Sequence, residues 1–212
     1  MRTLRTLLSS LAIISVAPIA SGEVSFLLNA DQLRDDSDTA VTVANGSWIL
    51  VADTTLDGFG ELGAGGIEID DFVGSQDLII GKGEFGGGFN IDGAVSDSLP
   101  GMNFGNGWDV GDPLALIWFP DAGMTPSTIG GGEAYGFYTS ATGEDASDPW
   151  ITPADGTSNH KLDALTADGS GFFGSGTVDP SLVQADQLTI PEPSTSLLGL
   201  LSLAFFLGRR RR

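Results

Sequence analysis

The stretch Leu114-Ala115-Leu116-Ile117-Trp118-Phe119 (LALIWF) is the most hydrophobic segment of residues 23–190 in this 212-residue chain. It is bounded by Asp112-Pro113 and Pro120-Asp121, so it is a short apolar run between turn residues, as buried strands are. The run Trp48 to Ala52 (WILVA) has the same form. Both runs are predicted to be β-strands.

Further short runs follow the same pattern, and no stretch shows helical periodicity over eleven residues. The chain has 31 glycines, and its aspartates outnumber its glutamates by 21 to 7. Both glycine and aspartate favour turns over helices. The sequence therefore predicts an all-β fold, a sandwich or barrel; we expect a single β-sandwich or jelly-roll-like domain with acidic Gly/Asp-rich turns. The other predicted strands are Val24–Leu28, Asp77–Gly81, Ala134–Thr139 and Lys161–Leu165.

The N-terminus has the features of a Sec-type signal peptide. Arg2 and Arg5 precede an apolar core from Leu7 to Ala20, and Ala20 and Gly22 are the small residues before a cleavage site between Gly22 and Glu23. Residues 1–22 are therefore predicted to be removed on export. A retained transmembrane helix is the alternative, although Pro18 and the small residues argue against it.

The C-terminus combines a rigid triplet, an apolar segment and a basic cluster. Pro191, Glu192 and Pro193 form the triplet, residues 195–208 form the hydrophobic membrane segment, and Arg209, Arg210, Arg211 and Arg212 form the cluster. The two prolines keep the triplet extended. The apolar segment is shorter than the roughly 20 residues of a comfortable span, which suits a transient membrane intermediate. The arginines should stay cytoplasmic, so that the rest of the chain lies outside.

This tail resembles the PEP-CTERM sorting signal of exopolysaccharide-producing Gram-negative bacteria. The resemblance covers about a tenth of the chain and implies processing near Pro191–Pro193 by the membrane transpeptidase exosortase. It also implies an inner-membrane-anchored intermediate after Sec export, followed by location at the cell surface or in the extracellular matrix. An ordinary C-terminal tail anchor is the alternative.

Residues 23–190 remain as one exported β domain of 168 residues, long enough for a hydrophobic core. This part has three basic and 27 acidic residues, so its formal net charge is −24. Such a charge excludes nucleic acid and anionic lipid as electrostatic partners, while divalent cations stay plausible. The chain has no cysteine and therefore no disulfide or thiolate metal site.

The sequence offers no catalytic constellation, and we expect no enzyme. The single histidine, His160, follows Ser158-Asn159, and this polar setting predicts a solvated turn. No Gly-x-Ser-x-Gly elbow occurs, and one histidine without cysteine cannot build the usual zinc site. The carboxylates are too numerous to single out the pair that a glycosidase needs.

One segment resembles the first half of an EF-hand-type calcium loop. Asp53, Thr55, Asp57 and Glu61 occupy positions one, three, five and nine, and Gly58 occupies position six. Position twelve is alanine, where a bidentate glutamate would be expected. The segment is therefore either a weak calcium site or an acidic turn after the WILVA strand. No other cofactor is expected.

Seven aromatic residues could form either the core or a sugar-stacking platform. The leading function is a non-catalytic exported protein of the cell surface or exopolysaccharide matrix. The alternatives are a carbohydrate- or calcium-binding module of the same layer and, less favoured, an envelope polysaccharide hydrolase. The aromatic residues are Trp108, Trp118, Phe119, Tyr135, Phe137, Tyr138 and Trp150.

Overall fold

In the structure, a computed structural model, the regular secondary structure of the described residues is almost wholly β-strand. It contains eleven strands and no α-helix in the part of the chain that it describes, which confirms the all-β class. The predicted signal peptide, residues 1–22, and the triplet, membrane segment and arginine cluster of residues 191–212 lie outside the described residues. The described residues are 23–73, 76–85, 90–104, 107–140, 149–167, 173, 176–179, 182 and 188–190.

The six predicted strands are all present, with bounds that differ by at most a few residues. Five further strands were not predicted. The strands are β1 (Glu23–Ala30), β2 (Ser47–Asp53), β3 (Gly65–Gly66), β4 (Phe72–Val73), β5 (Asp77–Glu84), β6 (Val95–Asn103), β7 (Leu114–Phe119), β8 (Thr128–Ile129), β9 (Ala134–Tyr138), β10 (His160–Ala164) and β11 (Leu188–Thr189).

The strands form two main sheets. The larger has six antiparallel strands in the order β11-β9-β7-β2-β5-β4. The smaller has the order β10-β1-β6, in which β1 pairs antiparallel with β6 and parallel with β10. Strands β3 and β8 form a separate two-stranded ladder.

Strands β2 and β7 lie at the centre of the larger sheet and are buried along their whole length. Trp48 and Leu50 belong to a hydrophobic cluster that also contains Phe26 and Leu28 of β1, so this cluster joins the two sheets. Ile49 and other residues of the opposite face belong to a second cluster, which includes loop residues. Because both faces are covered, β2 and β7 are continuous apolar runs without alternation.

Two tryptophans of the central strands lie between two glycines. The cross-strand partners run Gly83, Trp48, Trp118, Gly136 across β5, β2, β7 and β9. A Cβ atom at Gly83 would lie 2.5 Å from Trp48, and one at Gly136 would lie 2.0 Å from Trp118. Each indole therefore occupies the space that a side chain on the neighbouring strand would need.

Strand β6 is the longest strand that the sequence did not predict. It has nine residues, is at the edge of the smaller sheet, and exposes most of its side chains at least in part. It contains Pro100 and Gly101, which disfavour central strands but are compatible with an edge. The prediction missed β6 because an exposed edge strand lacks the apolar run used to identify the others.

Candidate functional site

Three buried carboxylates lie at one end of three neighbouring strands. Asp53 is the last residue of β2, Asp77 is the first residue of β5, and Asp112 precedes β7 by two residues. Asp53 and Asp77 are directly opposed across the β2–β5 ladder, and the Asp53 N–H donates to the Pro113 carbonyl at 3.0 Å. Their exposed fractions are only 2%, 3% and 7% for Asp53, Asp77 and Asp112. We call these three residues the acidic row.

The Asp53 carboxylate organises the turn that follows β2. Its Oδ1 accepts hydrogen bonds from the Leu56 N–H at 2.7 Å and from the Thr55 N–H at 3.1 Å. Its Oδ2 accepts one from the Gly58 N–H at 2.9 Å. The turn holds Leu56 and Gly58 at positive φ, of 59° and 91°. Asp53 is therefore a structural centre of its own loop, as aspartates are in Asx turns.

The other two carboxylates are each held by one backbone N–H. Asp77 Oδ2 accepts from the Gly60 N–H at 2.8 Å, and Asp112 Oδ2 accepts from the Asp109 N–H at 2.7 Å. The second oxygen of Asp77, Oδ1, is buried and has no hydrogen-bond partner. Most buried polar atoms in proteins have a partner, so this oxygen is an exception that requires a physical explanation.

Burial changes the acidity of two carboxyls in the row. Desolvation raises the pKa of Asp77, the Gly60 N–H opposes this, and the charges of Asp53 and Asp57 raise it further. Desolvation likewise raises the pKa of Asp112, against the Asp109 N–H and with the charges of Asp109 and Asp53. At Asp77 and Asp112 burial therefore favours a proton or a bound cation over an uncompensated negative charge.

The structure brings together three of the four residues predicted as calcium ligands. The Thr55 hydroxyl donates to the Asp57 carboxylate and lies 3.4 Å from Asp53 Oδ1. Glu61 is exposed and lies near Tyr135, whose phenol pKa is raised by burial and, to a lesser degree, by the Glu61 charge. Among the described residues, no group of three or more His, Asp or Glu side chains could enclose a metal ion.

Sequence reasoning missed Asp77 and Asp112 as members of this site. Asp77 is predicted as the first residue of the strand Asp77–Gly81, and Asp112 is predicted as a turn residue before the Leu114–Phe119 strand, so neither suggests a site. Only the strand order β7-β2-β5 places them on either side of Asp53. A useful signal would have been that all three aspartates directly flank strongly apolar strands.

His160 is not in a solvated turn, and that prediction was wrong. It is the first residue of β10, is only 8% exposed, and its Nε2 lies 2.9 Å from the Pro149 carbonyl. Its ring makes an edge contact with Phe26, with 5.9 Å between the ring centroids. The neighbouring polar residues Ser158 and Asn159 misled the prediction because they end a loop just before the strand enters the core.

The aromatic residues form core contacts and no exposed platform in the described structure. Six of the seven are buried, and Phe137 is half-buried against the second cluster. Tyr138 packs edge-on against Trp150, with 5.2 Å between their centroids. Side chains alternate between the two faces of β9, since Tyr135 and Phe137 belong to one cluster and Tyr138 to the other. Both faces of this strand are therefore core.

The two ends of the described domain are held in the fold. Glu23 begins β1, and its N–H donates to Asp155 Oδ1 at 3.1 Å. At the other end, Ile190 is 1% exposed and its N–H donates to the Glu133 carbonyl at 3.0 Å. The residues predicted for processing, Gly22 and those from Pro191 onward, lie outside the described residues. No helix in the described ranges is long and apolar enough to cross a membrane.

These features define an acidic all-β domain whose last described residue, Ile190, directly precedes a Pro-Glu-Pro triplet. Residues 189–212 match the PEP-CTERM protein-sorting motif. The match confirms the resemblance seen in the tail, and it marks the chain as an exported protein that exosortase sorts through the membrane. No curated protein and no solved structure matches the chain.

Proposed function

We propose that this chain is a non-catalytic protein of the cell surface or extracellular matrix, where it associates with exopolysaccharide. The observation that carries the proposal is the sorting motif at residues 189–212, whose first two residues are the last described residues of the folded domain. The Sec machinery would export the chain, residues 1–22 would be removed, and exosortase would act near Pro191–Pro193.

The position of Glu23 supports the proposed export route. Glu23 is the first residue of β1, so cleavage between Gly22 and Glu23 would leave the strand and its pairing with β6 and β10 intact. The Asp155 carboxylate, which accepts the Glu23 N–H, would then face the new α-ammonium group. Signal removal is therefore compatible with every described contact of β1.

The packing of the histidine and of the aromatic side chains supports a role without catalysis. The ring of the single histidine, His160, packs against Phe26, and its Nε2 lies 2.9 Å from the Pro149 carbonyl. The bulky aromatic residues belong to the two hydrophobic clusters. The surface is acidic: residues 23–190 hold only three basic residues, and two of these, Arg34 and Lys82, form ion pairs with Asp38 and Glu68. Such a surface stays hydrated within a polysaccharide layer and binds cations that could bridge to acidic sugars.

The proposal is tested by fractionating host cultures that express the full-length chain. We expect the protein in the matrix fraction, and we expect a variant lacking residues 191–212, which keeps β11 and Ile190, to be absent from that fraction. In a parallel reaction, the purified chain is incubated with exopolysaccharide from the same host, and newly formed reducing ends are counted. Release of reducing ends above a boiled control would contradict the non-catalytic role. Equal matrix recovery of both chains would contradict the sorting role.

A further inference from the structure

The unpartnered oxygen of Asp77 is the observation that carries a further inference. Asp77 is 3% exposed, its Oδ2 is bonded to the Gly60 N–H, and its Oδ1 has no partner. Leaving a buried charged oxygen unpaired costs more than leaving a neutral group unpaired. Something that the protein atoms do not provide is therefore needed beside Asp77 Oδ1.

The surroundings of Asp77 are negative. Asp53 is its direct cross-strand partner, which places the two Cβ atoms about 4.5–5.5 Å apart on the same face of the sheet. Like charges at such positions are destabilising. The charge of Asp57 also acts on Asp77. A water molecule would satisfy the oxygen but would leave this repulsion in place, whereas a proton or a bound cation would relieve it.

Asp53 has a free acceptor site as well. A carboxylate offers about four lone-pair sites. Asp53 Oδ1 accepts two backbone hydrogen bonds, from the Thr55 N–H and the Leu56 N–H, whereas Oδ2 accepts one, from the Gly58 N–H. The acceptor capacity left on the opposed pair is therefore one site on Asp53 Oδ2 and sites on both oxygens of Asp77, of which Oδ1 has no partner at all.

We propose that Asp53 and Asp77 bind one Ca²⁺ ion at the end of strands β2 and β5, through Asp53 Oδ2 and Asp77 Oδ1. Because the described residues offer no group of three carboxylate or imidazole side chains that could enclose a metal, backbone carbonyls and water complete the shell. Ca²⁺ accepts such mixed, irregular sets of six to eight oxygens, while Mg²⁺ requires a near-octahedral set and gives up its water reluctantly. The site differs from the predicted EF-hand-like loop because Asp77, 24 residues beyond Asp53, is a ligand and Glu61 is not.

The test uses the full-length chain in a mild non-ionic detergent, with CaCl₂ or MgCl₂ as the only added metal. Titration calorimetry gives the stoichiometry and Kd, and tryptophan fluorescence gives the melting temperature. Asp77→Asn removes the charge while keeping the shape of the side chain. Asp121→Asn is the matched control, since it makes the same change of charge at an exposed position outside the acidic row.

We expect one site with a Kd of roughly 10⁻⁴ to 10⁻³ M, the range of extracellular calcium modules. About 10 mM CaCl₂ should then raise the melting temperature by roughly 3–11 °C in the wild type and in Asp121→Asn. In Asp77→Asn the rise should disappear, and the metal-free variant should melt at or above the wild-type temperature, because a buried like-charge pair has been removed. A purely structural role for Asp77 would instead lower that temperature.

Two results would overturn the proposal. The first is an Asp77→Asn protein that keeps the full calcium response. The second uses the wild type alone and does not depend on the folding of any variant: equal rises in CaCl₂ and MgCl₂ would show that the ions merely screen an acidic surface. Neither result would bear on the proposal that exosortase sorts the chain, because that proposal is tested separately by fractionation.

Discussion

Replacement of Gly136 by alanine tests the packing of the central sheet. Gly136 on β9 lies opposite Trp118 on β7, and an added Cβ would lie 2.0 Å from Trp118 Cε2 and Cζ2. Real Cβ atoms do not approach other heavy atoms so closely, so the indole or the strand must move. Trp118 has no exposed surface, and its Nε1–H donates to the Arg34 carbonyl at 3.0 Å. Neither the ring nor its hydrogen bond has room to adjust freely.

Overpacking of a tight core costs about 1–3 kcal/mol, and a 2.0 Å clash with a fully buried ring belongs at the upper end. For a chain of this size, about 3 kcal/mol lowers the melting temperature by roughly 6–12 °C. The assay is thermal and urea unfolding of the full-length chain, followed by tryptophan fluorescence. The matched control is Gly63→Ala, where an added Cβ meets nothing within 4 Å and φ is not positive. We expect this control to be neutral or slightly stabilising.

The reasoning would be refuted if Gly136→Ala melted at or above the wild-type temperature. It would also be refuted if Gly63→Ala lost as much stability as Gly136→Ala. In the first case the Trp118 ring would not occupy the space over β9 that the structure shows. In the second case any alanine would be harmful, and the contact with Trp118 would not be the cause.

Two further predictions concern the acidic row and the cluster that joins the sheets. Because burial raises the pKa of Asp77 in the folded state, its contribution to stability is fully present below pH 3.8 and is lost as pH rises through the raised value. Urea unfolding of the calcium-free chain between about pH 4 and pH 8 should therefore show a fall in stability that is smaller in Asp77→Asn; equal slopes would contradict the assignment. Phe26→Ala should cost about 3–5 kcal/mol in the same assay, because Phe26 is fully buried against Trp108 and His160. A loss below about 1 kcal/mol would mean that the two sheets do not share this cluster.

The apolar strands could be predicted from the sequence because each is a short hydrophobic run between turn residues. The Leu114–Phe119 strand has the predicted bounds without change, since Pro113 and Pro120 limit it on both sides. Strand β6 could not be predicted, because its polar outer face and Pro100 give no apolar run. The strand order could not be predicted either. Pairing between distant residues, such as the parallel pairing of β1 with β10, depends on how the two sheets pack rather than on any local pattern.

The sorting motif could be recognised because its signal is linear: a triplet, an apolar segment and a basic cluster follow one another. The acidic row could not be recognised, because Asp53, Asp77 and Asp112 come together only through the order of β2, β5 and β7. His160 was misplaced for a similar reason. Its polar sequence neighbours belong to a loop, while its ring packs against Phe26, more than a hundred positions away.

The central claim is that exosortase sorts this chain, and the intact mass of the protein tests it most directly. The mass would be measured on protein from membrane and extracellular fractions of the host, with and without exosortase. The account predicts an exosortase-dependent species that begins at Glu23 and ends near Pro191–Pro193. A species that keeps Arg209 to Arg212 in both strains would contradict the account and would identify an ordinary membrane-anchored protein.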